Sequence, residues 1–320
     1  MKARVASLFL FLVLFGCAPS ASAWGCKGHE VIALIAERHL SDAAEAMVTK
    51  ILAAAPIDPA LRRFCQDADL DAFADASTWA DDVRTARPET APWHFIDIPR
   101  GVTEGDLAQF CPPATGCITS AIAAQLTILR DAASTAQARG DALRFLIHFL
   151  GDLHEPLHTA TNGDLGGNCV PVSFAGHDPE QTNPEREDYR PNLHAIWDVD
   201  LLDDFMSGQT SPEIADALDK KLTPRQISSW RSGPPDIVAW AWESHQTAED
   251  VVYGRLPVEL PVEAPRPVAT CADNNHIAAR MLKLGEKIDA DDETAAAVSI
   301  DEQLEKAGIR LADVLNSLWP

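Results

Sequence analysis

The most informative segment of this chain reads Arg144-Phe-Leu-Ile-His148-Phe-Leu-Gly-Asp152-Leu-His-Glu-Pro156-Leu-His158. Its apolar pattern predicts a helix from Asp141 to Leu153. A spacing of four then places the His148 imidazole and the Asp152 carboxylate on one helix face, one turn apart. Pro156 ends the helix, because it lacks an N–H and its ring clashes with the preceding turn. His158 follows on backbone that must turn back.

A helical His-x3-Asp pair with a second histidine just beyond a proline brings nitrogen and oxygen donors together, and zinc is the usual occupant of such clusters. The alternative is that His148 and Asp152 form a single hydrogen-bonded pair on a half-buried helix. The same spacing recurs in His194 and Asp198, where Asn192-Leu-His opens another predicted helix. This repetition favours metal binding.

The composition predicts one compact helical domain. The chain has 320 residues and 46% hydrophobic residues, enough to bury a full core. No strand-rich stretch exceeds a few residues. We therefore expect an all-α fold in which residues 24–320 form a single domain with long loops on one side.

The first 23 residues have the features of a secretory signal peptide. Two cations precede the apolar run Leu8 to Phe15, and Ala21-Ser-Ala23 supplies small residues for cleavage. A rival interpretation is lipidation at Cys17. Cleavage after Ala23 predicts an exported protein, periplasmic or secreted, with no membrane span, since no other run is long and apolar enough.

The charge of the chain is strongly negative. Removal of residues 1–23 leaves 24 basic and 48 acidic side chains, a net charge of −24 compared with −22 for the whole chain. Such a surface repels nucleic acid at long range, because phosphate-binding surfaces are normally basic. Any chemistry on nucleic acid must therefore depend on local positive charge, which bound metal ions supply.

Six cysteines remain after cleavage, and an even number in an exported protein indicates disulfides. Cys111 and Cys117 bracket a tight loop and are the first expected pair. The other four cysteines are Cys26, Cys65, Cys169 and Cys271, and three pairings stay open among them. Cys26 could instead be a thiolate ligand for a metal, because it lies close to His29 in the sequence.

Cleavage after Ala23 would leave Trp24 as the first residue, four residues before Gly28 and five before His29. Its free amine and its own carbonyl form a five-membered chelate for a metal, since an α-amino group has a pKa of roughly 8 and loses its proton readily. His29 opens a helix predicted to end near Leu40. The simpler interpretation of His29 is a helix-start residue without a ligand.

Two further segments carry candidate site residues. A predicted helix over 67–83 ends in Asp81-Asp82, followed by Arg84; such a carboxylate pair is usually solvated, and Arg84 has a salt bridge with Asp82 as its simplest role. Residues 92–99 are predicted to be extended. Alternate residues then share a face, so that His94 and Ile96 point one way and Phe95 and Asp97 the other.

The polar loop 160–190 contains the sharp turn Asn162-Gly-Asp-Leu-Gly-Gly-Asn168, and a loop of this length in a compact domain is usually functional. The Pro-rich segment 256–268 is predicted to be a surface connection. Four histidines lack a partner at metal spacing and are interpreted as structural or surface residues: His154, His177, His245 and His276. The remaining predicted helices span 41–55, 118–133, 212–218, 235–252, 276–288 and 302–318.

The ordered motifs resemble the zinc-dependent single-strand nuclease and 3′-nucleotidase family, within the phospholipase C and nuclease superfamily. They are Trp24-Gly-x-x-Gly-His29, Trp79-Ala-Asp81, Trp93-His-Phe-Ile-Asp97, His148-x3-Asp-x-His-x-Pro-x-His158 and Asn192-Leu-His-x3-Asp198. The resemblance runs from Trp24 to about Phe205 and returns near residues 307–316. No single motif decides the matter, but a chance match to all of them in this order is remote.

The resemblance implies a phospholipase C/nuclease-type fold around three zinc ions in a cleft. It assigns Asp81, His94, His148 and Asp152 to one zinc. A second oxygen of Asp152, His29 and the Trp24 amine and carbonyl would hold another zinc, so that Asp152 bridges the pair. The third zinc would take His158, His194 and Asp198.

The resemblance also implies a reaction: endonucleolytic hydrolysis of single-stranded DNA and RNA to 5′-phosphate products, with 3′-nucleotides as further substrates. A hydroxide shared by the paired zincs would attack phosphorus while Asp97 orients it and Arg84 holds a phosphate oxygen. The third zinc would stabilise the leaving 3′-oxygen. Phe95 would stack on an unpaired base, unless it is core packing, and Asn168 would line the site.

Two other functions remain open from the sequence. A zinc-dependent phospholipase C of the same superfamily would often carry Glu in the position of Asp198, so Asp198 favours the nuclease. A periplasmic zinc-binding protein without turnover has no need of a phosphate clamp such as Arg84 with Asp97. We expect a monomer, whereas base preference, the DNA to RNA ratio and the pH optimum are not predicted.

Overall fold

The computed structural model describes residues 24–65 and 70–320. Helices dominate these residues, as the composition predicted, and the only regular strands described are two short ones, β1 (Glu180–Asn183) and β2 (Asp188–Arg190), which pair antiparallel. No helix in these ranges is long and apolar enough to cross a membrane. The predicted signal peptide lies outside the described residues.

Two long helices form the centre of the domain. Helix α6 (Ala136–Asp152) carries His148 and Asp152, and its last twelve residues are buried almost without interruption. Helix α1 (Gly25–Glu37) lies beside it and also packs against α13 (Ala290–Leu318). The remaining α-helices surround this core: α2 (Asp42–Ala54), α3 (Ala72–Ala76), α4 (Trp79–Val83), α5 (Ile118–Arg130), α7 (Leu193–Ala195), α8 (Leu201–Phe205), α9 (Ser211–Asp219), α10 (Pro224–Trp230), α11 (Ile237–Thr247) and α12 (Ile277–Leu282).

Short side-chain caps fix where these helices begin. The Ser41 hydroxyl accepts a hydrogen bond from the Ala44 N–H, and the Asp289 carboxylate accepts from the N–H groups of Asp291 and Asp292. Such caps satisfy backbone donors that have no partner within the helix. The Asp289 cap explains why α13 begins twelve residues before the predicted start at residue 302, since its acidic first turn suits the helix N-terminus.

The predicted helix over 67–83 is wrong in one respect. Within the described part it is two short helices, α3 and α4, separated at Ser77 and Thr78. At this break the Ser77 carbonyl accepts a hydrogen bond from Nδ1 of the His148 imidazole at 2.7 Å. The helix is therefore interrupted at the point where the Ser77 carbonyl orients His148.

Several other predicted boundaries also need correction. Residues 92–94 belong to a 3₁₀ helix, Pro88–His94, so only the part after His94 is extended. Helix α6 begins five residues before the predicted start, and α12 is much shorter than predicted. Helix α10 was not predicted. Residues 196–200 and 248–253 are π-helical turns that continue α7 and α11.

Three disulfides cross-link the domain. The predicted pair Cys111–Cys117 is confirmed, and the other bonds are Cys26–Cys65 and Cys169–Cys271. Cys26 is therefore not a thiolate ligand. Disulfides are typical of proteins that fold in an oxidising compartment.

Candidate metal centre

Helix α6 presents His148 and Asp152 on one buried face, as their spacing predicted. Both side chains are fully buried, and Nε2 of His148 lies 3.2 Å from Oδ2 of Asp152. The Nδ1–H of His148 donates to the Ser77 carbonyl. This bond directs Nε2 toward the cluster, which is how ligating histidines are usually oriented.

The Asp152 carboxylate lies between three histidines. Its Oδ2 is 2.9 Å from Nδ1 of His94, and its Oδ1 is 3.3 Å from Nε2 of His29. The His29 ring stacks on His148 with centroids 3.9 Å apart and an angle of 15° between the planes. The two oxygens of Asp152 therefore face different histidines, an arrangement in which one carboxylate can serve two cations.

Asp81 completes this cluster from α4. Its carboxylate oxygens lie 3.8 Å from His94 Nδ1 and 3.8 Å from His148 Nε2. Arg84 donates from Nη1 to Oδ1 of Asp81 at 3.1 Å. The suggested salt bridge between Arg84 and Asp82 is wrong, because the buried Asp82 pairs with Arg63 instead.

Trp24 lies against the same cluster. Its indole Nε1–H donates to the carbonyl of Gly151 at 3.0 Å, one residue before Asp152, and its own carbonyl accepts from Gly28. Gly151 also lets the His29 ring lie against this backbone, since a Cβ there would lie 2.8 Å from Nδ1 of His29. The Trp24 backbone is thereby held close to His29 and Asp152. The free amine depends on removal of residues 1–23 and stays a prediction.

A second buried cluster contains His158, His194 and Asp198. Nε2 of His194 lies 3.1 Å from Oδ2 of Asp198, and Nε2 of His158 lies 3.7 Å from its Oδ1. Both imidazoles use Nδ1 elsewhere: His158 donates to the His94 carbonyl and His194 to the Gly166 carbonyl, each at 2.7 Å. Gly166 has a left-handed backbone with φ 59°, and a Cβ there would lie 2.6 Å from the Leu157 carbonyl.

Both clusters contain buried polar atoms that lack a hydrogen-bond partner. These atoms include Nε2 of His94 and His158, both ring nitrogens of His29, Oδ1 of Asp152 and both carboxylate oxygens of Asp198. A buried polar group without a partner normally costs stability. Their concentration in two places therefore fits a bound cation, and the mixture of imidazole nitrogen and carboxylate oxygen suits zinc.

Electrostatic coupling keeps the carboxylates of the first cluster ionised. Burial raises the pKa of Asp81, but the imidazoles of His148 and His94 lower it further, to about 2. The pKa of Asp152 is held well below its usual range, because its histidine neighbours outweigh the effect of burial. Burial lowers the pKa of His94 to about 4, which favours a neutral imidazole at physiological pH. Burial lowers the pKa of His148, but the carboxylates of Asp152 and Asp81 raise it further, to about 9. Because neutral imidazoles and ionised carboxylates are the forms that bind metal, a cation would have to displace a proton from His148.

Phe95 and Asp97 open onto a cavity of about 470 Å³. From His94 to Ile98 buried and exposed residues alternate, and the predicted sharing of faces is confirmed. Asp97 is reached by solvent but has protein on most sides, and burial together with the Asp164 carboxylate raises its pKa to about 6. Asn168 is half-buried; its amide donates to the Leu165 carbonyl at 2.8 Å, and it is not among the residues lining this cavity.

Comparison with known proteins identifies the family. The S1/P1 nuclease family model matches residues 24–320. The chain belongs to the S1/P1 nuclease family. It is 30% identical to Nuclease S1 of Aspergillus oryzae over 222 residues, which cover 66% of this chain and 68% of that protein. It is 26% identical to Endonuclease 2 of Arabidopsis thaliana over 288 residues, covering 80% and 90%. Nuclease P1 of Penicillium citrinum is 30% identical over 190 residues, covering 58% and 60%.

Membership of the S1/P1 nuclease family confirms the resemblance drawn from the ordered motifs, and the helical fold agrees with it.

One residue of the second cluster was not predicted. Glu155 is fully buried, and it groups with His158, His194 and Asp198 with potential ligand atoms within 4.8 Å of one another. Its Oε2 accepts from the His158 N–H at 2.8 Å, while Oε1 has no partner. The sequence feature that could have pointed to Glu155 is its position inside the motif from His148 to His158.

Proposed function

We propose that this protein is an exported, zinc-dependent nuclease that hydrolyses single-stranded DNA and RNA to 5′-phosphate products and also cleaves 3′-nucleotides. The observation that carries the proposal is the pair of buried clusters, rich in unpartnered imidazole and carboxylate atoms, in a member of the S1/P1 nuclease family. Metal-assisted hydrolysis is the chemistry that such donor sets support.

Three zinc ions fit the available donors. Asp81, His94, His148 and Asp152 would hold one of them. His29, a second oxygen of Asp152 and the Trp24 amine and carbonyl would hold its neighbour. His158, His194 and Asp198 would hold the third, beside Glu155. When bound, these cations supply Lewis acidity that activates the attacking water and offsets negative charge on the phosphate.

Asp97 and Arg84 would act directly on the reacting groups. The raised pKa of Asp97, about 6, leaves its carboxylate ionised near neutral pH and able to orient the attacking water by accepting a hydrogen bond. Arg84 is already fixed by its bond to Asp81, and its guanidinium would hold a phosphate oxygen beside that cluster.

Phe95 would provide selectivity for unpaired bases. Its ring is 36% exposed at the cavity that Asp97 also lines, so it offers a π-face on which a base can stack. Stacking of this kind needs a base that is free of its complementary strand. Asn168 would contribute only through the shape of the Gly166-Gly-Asn168 turn, because its amide is bonded to Leu165.

The negative charge of the chain fits this proposal. A net charge of −22 gives no general attraction for nucleic acid, so binding would depend on the cations and on Arg84. Export would follow from cleavage after Ala23, and the three disulfides are consistent with an oxidising compartment.

One assay tests the proposal. The mature protein is incubated with zinc and, separately, single-stranded DNA, a 3′-nucleotide or phosphatidylcholine. We expect cleavage of the first two and products that carry a 5′-phosphate. Cleavage of lipid alone would instead identify a phospholipase C, and the absence of any cleavage would favour a zinc-binding protein without turnover.

A further inference from the structure

Two phenylalanines are exposed among the described residues, and they line different cavities. Phe95 borders the cavity described above; Phe64 is 57% exposed at a second cavity of about 560 Å³. The second cavity is lined by Trp24 and Asp81, which belong to the first cluster. The Phe64 cavity therefore opens next to the metal centre.

The backbone that carries Phe64 is held firmly. Its N–H donates to Oδ1 of Asp82 at 2.7 Å, directly after Asp81 in the chain. The next residue, Cys65, is cross-linked to Cys26 in α1, and the preceding Arg63 pairs with Asp82 and with a second carboxylate. Because the Phe64 ring is exposed although its backbone is fixed, this ring does not serve to fill the core.

The chemistry of the second cavity suits an uncharged aromatic group. Its exposed apolar surface comes from Phe64 and the half-buried Val199, while Trp24 and Leu202 border the cavity with almost no exposed surface. The three carboxylates that line it are all engaged: Glu30 accepts a hydrogen bond from Ser211 at 2.6 Å, Asp203 pairs with Lys27 at 2.8 Å, and Asp81 accepts from Arg84 at 3.1 Å. A nucleobase fits this surface better than a phosphate does.

A cation lies above the same ring. The guanidinium carbon of the exposed Arg62 is 5.4 Å from the Phe64 ring centroid. Arginine in this position is able to contact a backbone phosphate while Phe64 receives the base, which is the combination used by many proteins that bind single strands.

Hydrogen bonds place each of the two phenylalanines next to a different cluster. The Ile96 N–H donates to the carbonyl of His158, so Phe95 lies on the side of the second cluster, where the leaving 3′-oxygen is proposed to bind. Phe64 lies on the side of Asp81 and Asp82. We take the nucleotide that keeps the 5′-phosphate to extend in that direction.

We propose that Phe64 stacks on the base of the nucleotide immediately 3′ of the scissile bond, and that Arg62 contacts the phosphate following it. This inference rests on the proposed nuclease function and adds a second base site to it. A 3′-nucleotide has no residue 3′ of its scissile bond, so its cleavage does not use the site.

The test compares two substrates in three variants. Initial rates are measured with a single-stranded trinucleotide and with the same trinucleotide carrying an abasic residue 3′ of the scissile bond. For Phe64→Ala and Phe64→Leu we expect the ratio of kcat/KM for the intact over the abasic substrate to fall about fivefold or more, as loss of one stacked base predicts. Phe64→Trp should keep the ratio, because it keeps a π-face.

The matched control is Val298→Ala, another exposed apolar residue that lines neither cavity, and it should leave the ratio at the wild-type value. An unchanged ratio in Phe64→Ala would overturn the inference, as would an equal loss with both substrates. If the wild-type protein cleaves neither the trinucleotide nor a 3′-nucleotide, the proposed function itself fails, and the second base site fails with it.

Discussion

Two buried regions of this protein hold histidines in similar ways but treat charge differently. In the candidate metal centre His148 donates from Nδ1 to a backbone carbonyl, and its Nε2 faces Asp152 and other imidazoles. In the second region His154 donates from Nδ1 to the Leu150 carbonyl at 2.7 Å, and its Nε2 accepts from Arg310 at 3.0 Å. Arg310 also donates to Glu243 at 2.5 Å.

The difference between these regions lies in the unpartnered atoms. The ring nitrogens of His154 both have partners, and burial together with Arg310 lowers its pKa to about 3, so it is a neutral acceptor. The metal centre instead collects nitrogens and carboxylate oxygens that lack partners. Among the described residues around His154 and Arg310 only the Nε of Arg310 lacks a partner, whereas the two clusters together leave several imidazole and carboxylate atoms without one. This difference indicates where a ligand would complete the structure.

The largest expected effect comes from Asp152→Asn in the metal centre. This variant should lose the two neighbouring zinc ions together and reduce kcat/KM at least about 1000-fold, since even outer partners of one metal contribute 10- to 100-fold. Metal content by elemental analysis and the rate on single-stranded DNA measure both effects. Asp204→Asn, at an exposed position, is the control. Full activity in the Asp152 variant would refute its shared role.

Arg310→Met should affect the other region. It removes the cation that faces His154 and Glu243, and we expect the free energy of unfolding to fall by roughly 2 kcal/mol, because the buried His154 loses its donor whereas the partly exposed Glu243 keeps Lys306. Urea unfolding of the zinc-loaded protein measures this change. The folded variant should retain its full zinc content, and loss of zinc would mean that the two regions are not separate.

The pH dependence of stability sharpens the same contrast. Burial raises the pKa of Glu243, but Arg310 and Lys306 lower it further, from 4.5 to about 2. Its contribution is therefore complete above pH 4.5 and is lost as the pH falls toward 2. Because the carboxylate is 35% exposed, Glu243→Gln should cost only about 1–2 kcal/mol at pH 7. Urea unfolding in EDTA should show that the wild type and Glu243→Gln approach the same free energy of unfolding between pH 4.5 and 2. A difference that stays constant with pH would contradict the assignment of this pH dependence to Glu243.

A smaller effect is expected at the N-terminus. One extra residue before Trp24 would replace the free amine by an amide, and we expect about tenfold weaker binding of one zinc, with slower turnover. Competition with a chelator measures the affinity, and the protein beginning at Trp24 is the reference. If affinity and rate are the same in both proteins, the amine is not a ligand.

The sequence predicted the chemistry of the site better than its boundaries. Four-residue spacing is a property of the helix itself, so the pairs His148 with Asp152 and His194 with Asp198 could be predicted without tertiary information. The break at Ser77 could not be, because its carbonyl serves a histidine that is distant in sequence. Disulfide pairing depends on tertiary contacts for the same reason.

Glu155 and Phe64 show a second limit of sequence interpretation. Glu155 lies inside the central motif, yet only the fold places its carboxylate beside Asp198 and His194. Phe64 has no motif around it. Its proposed role is argued from its exposure and from the cavity that it lines together with Trp24 and Asp81, both of which are properties of the folded chain.

The most direct test of this account is the metal content of the purified protein that begins at Trp24. Native mass spectrometry, after dialysis against trace zinc, should give a mass equal to the folded chain plus three zinc ions, and Asp152→Asn should retain one. A folded wild-type chain that carries no divalent metal under these conditions would contradict the central claim that the unpartnered histidines and aspartates form a metal centre.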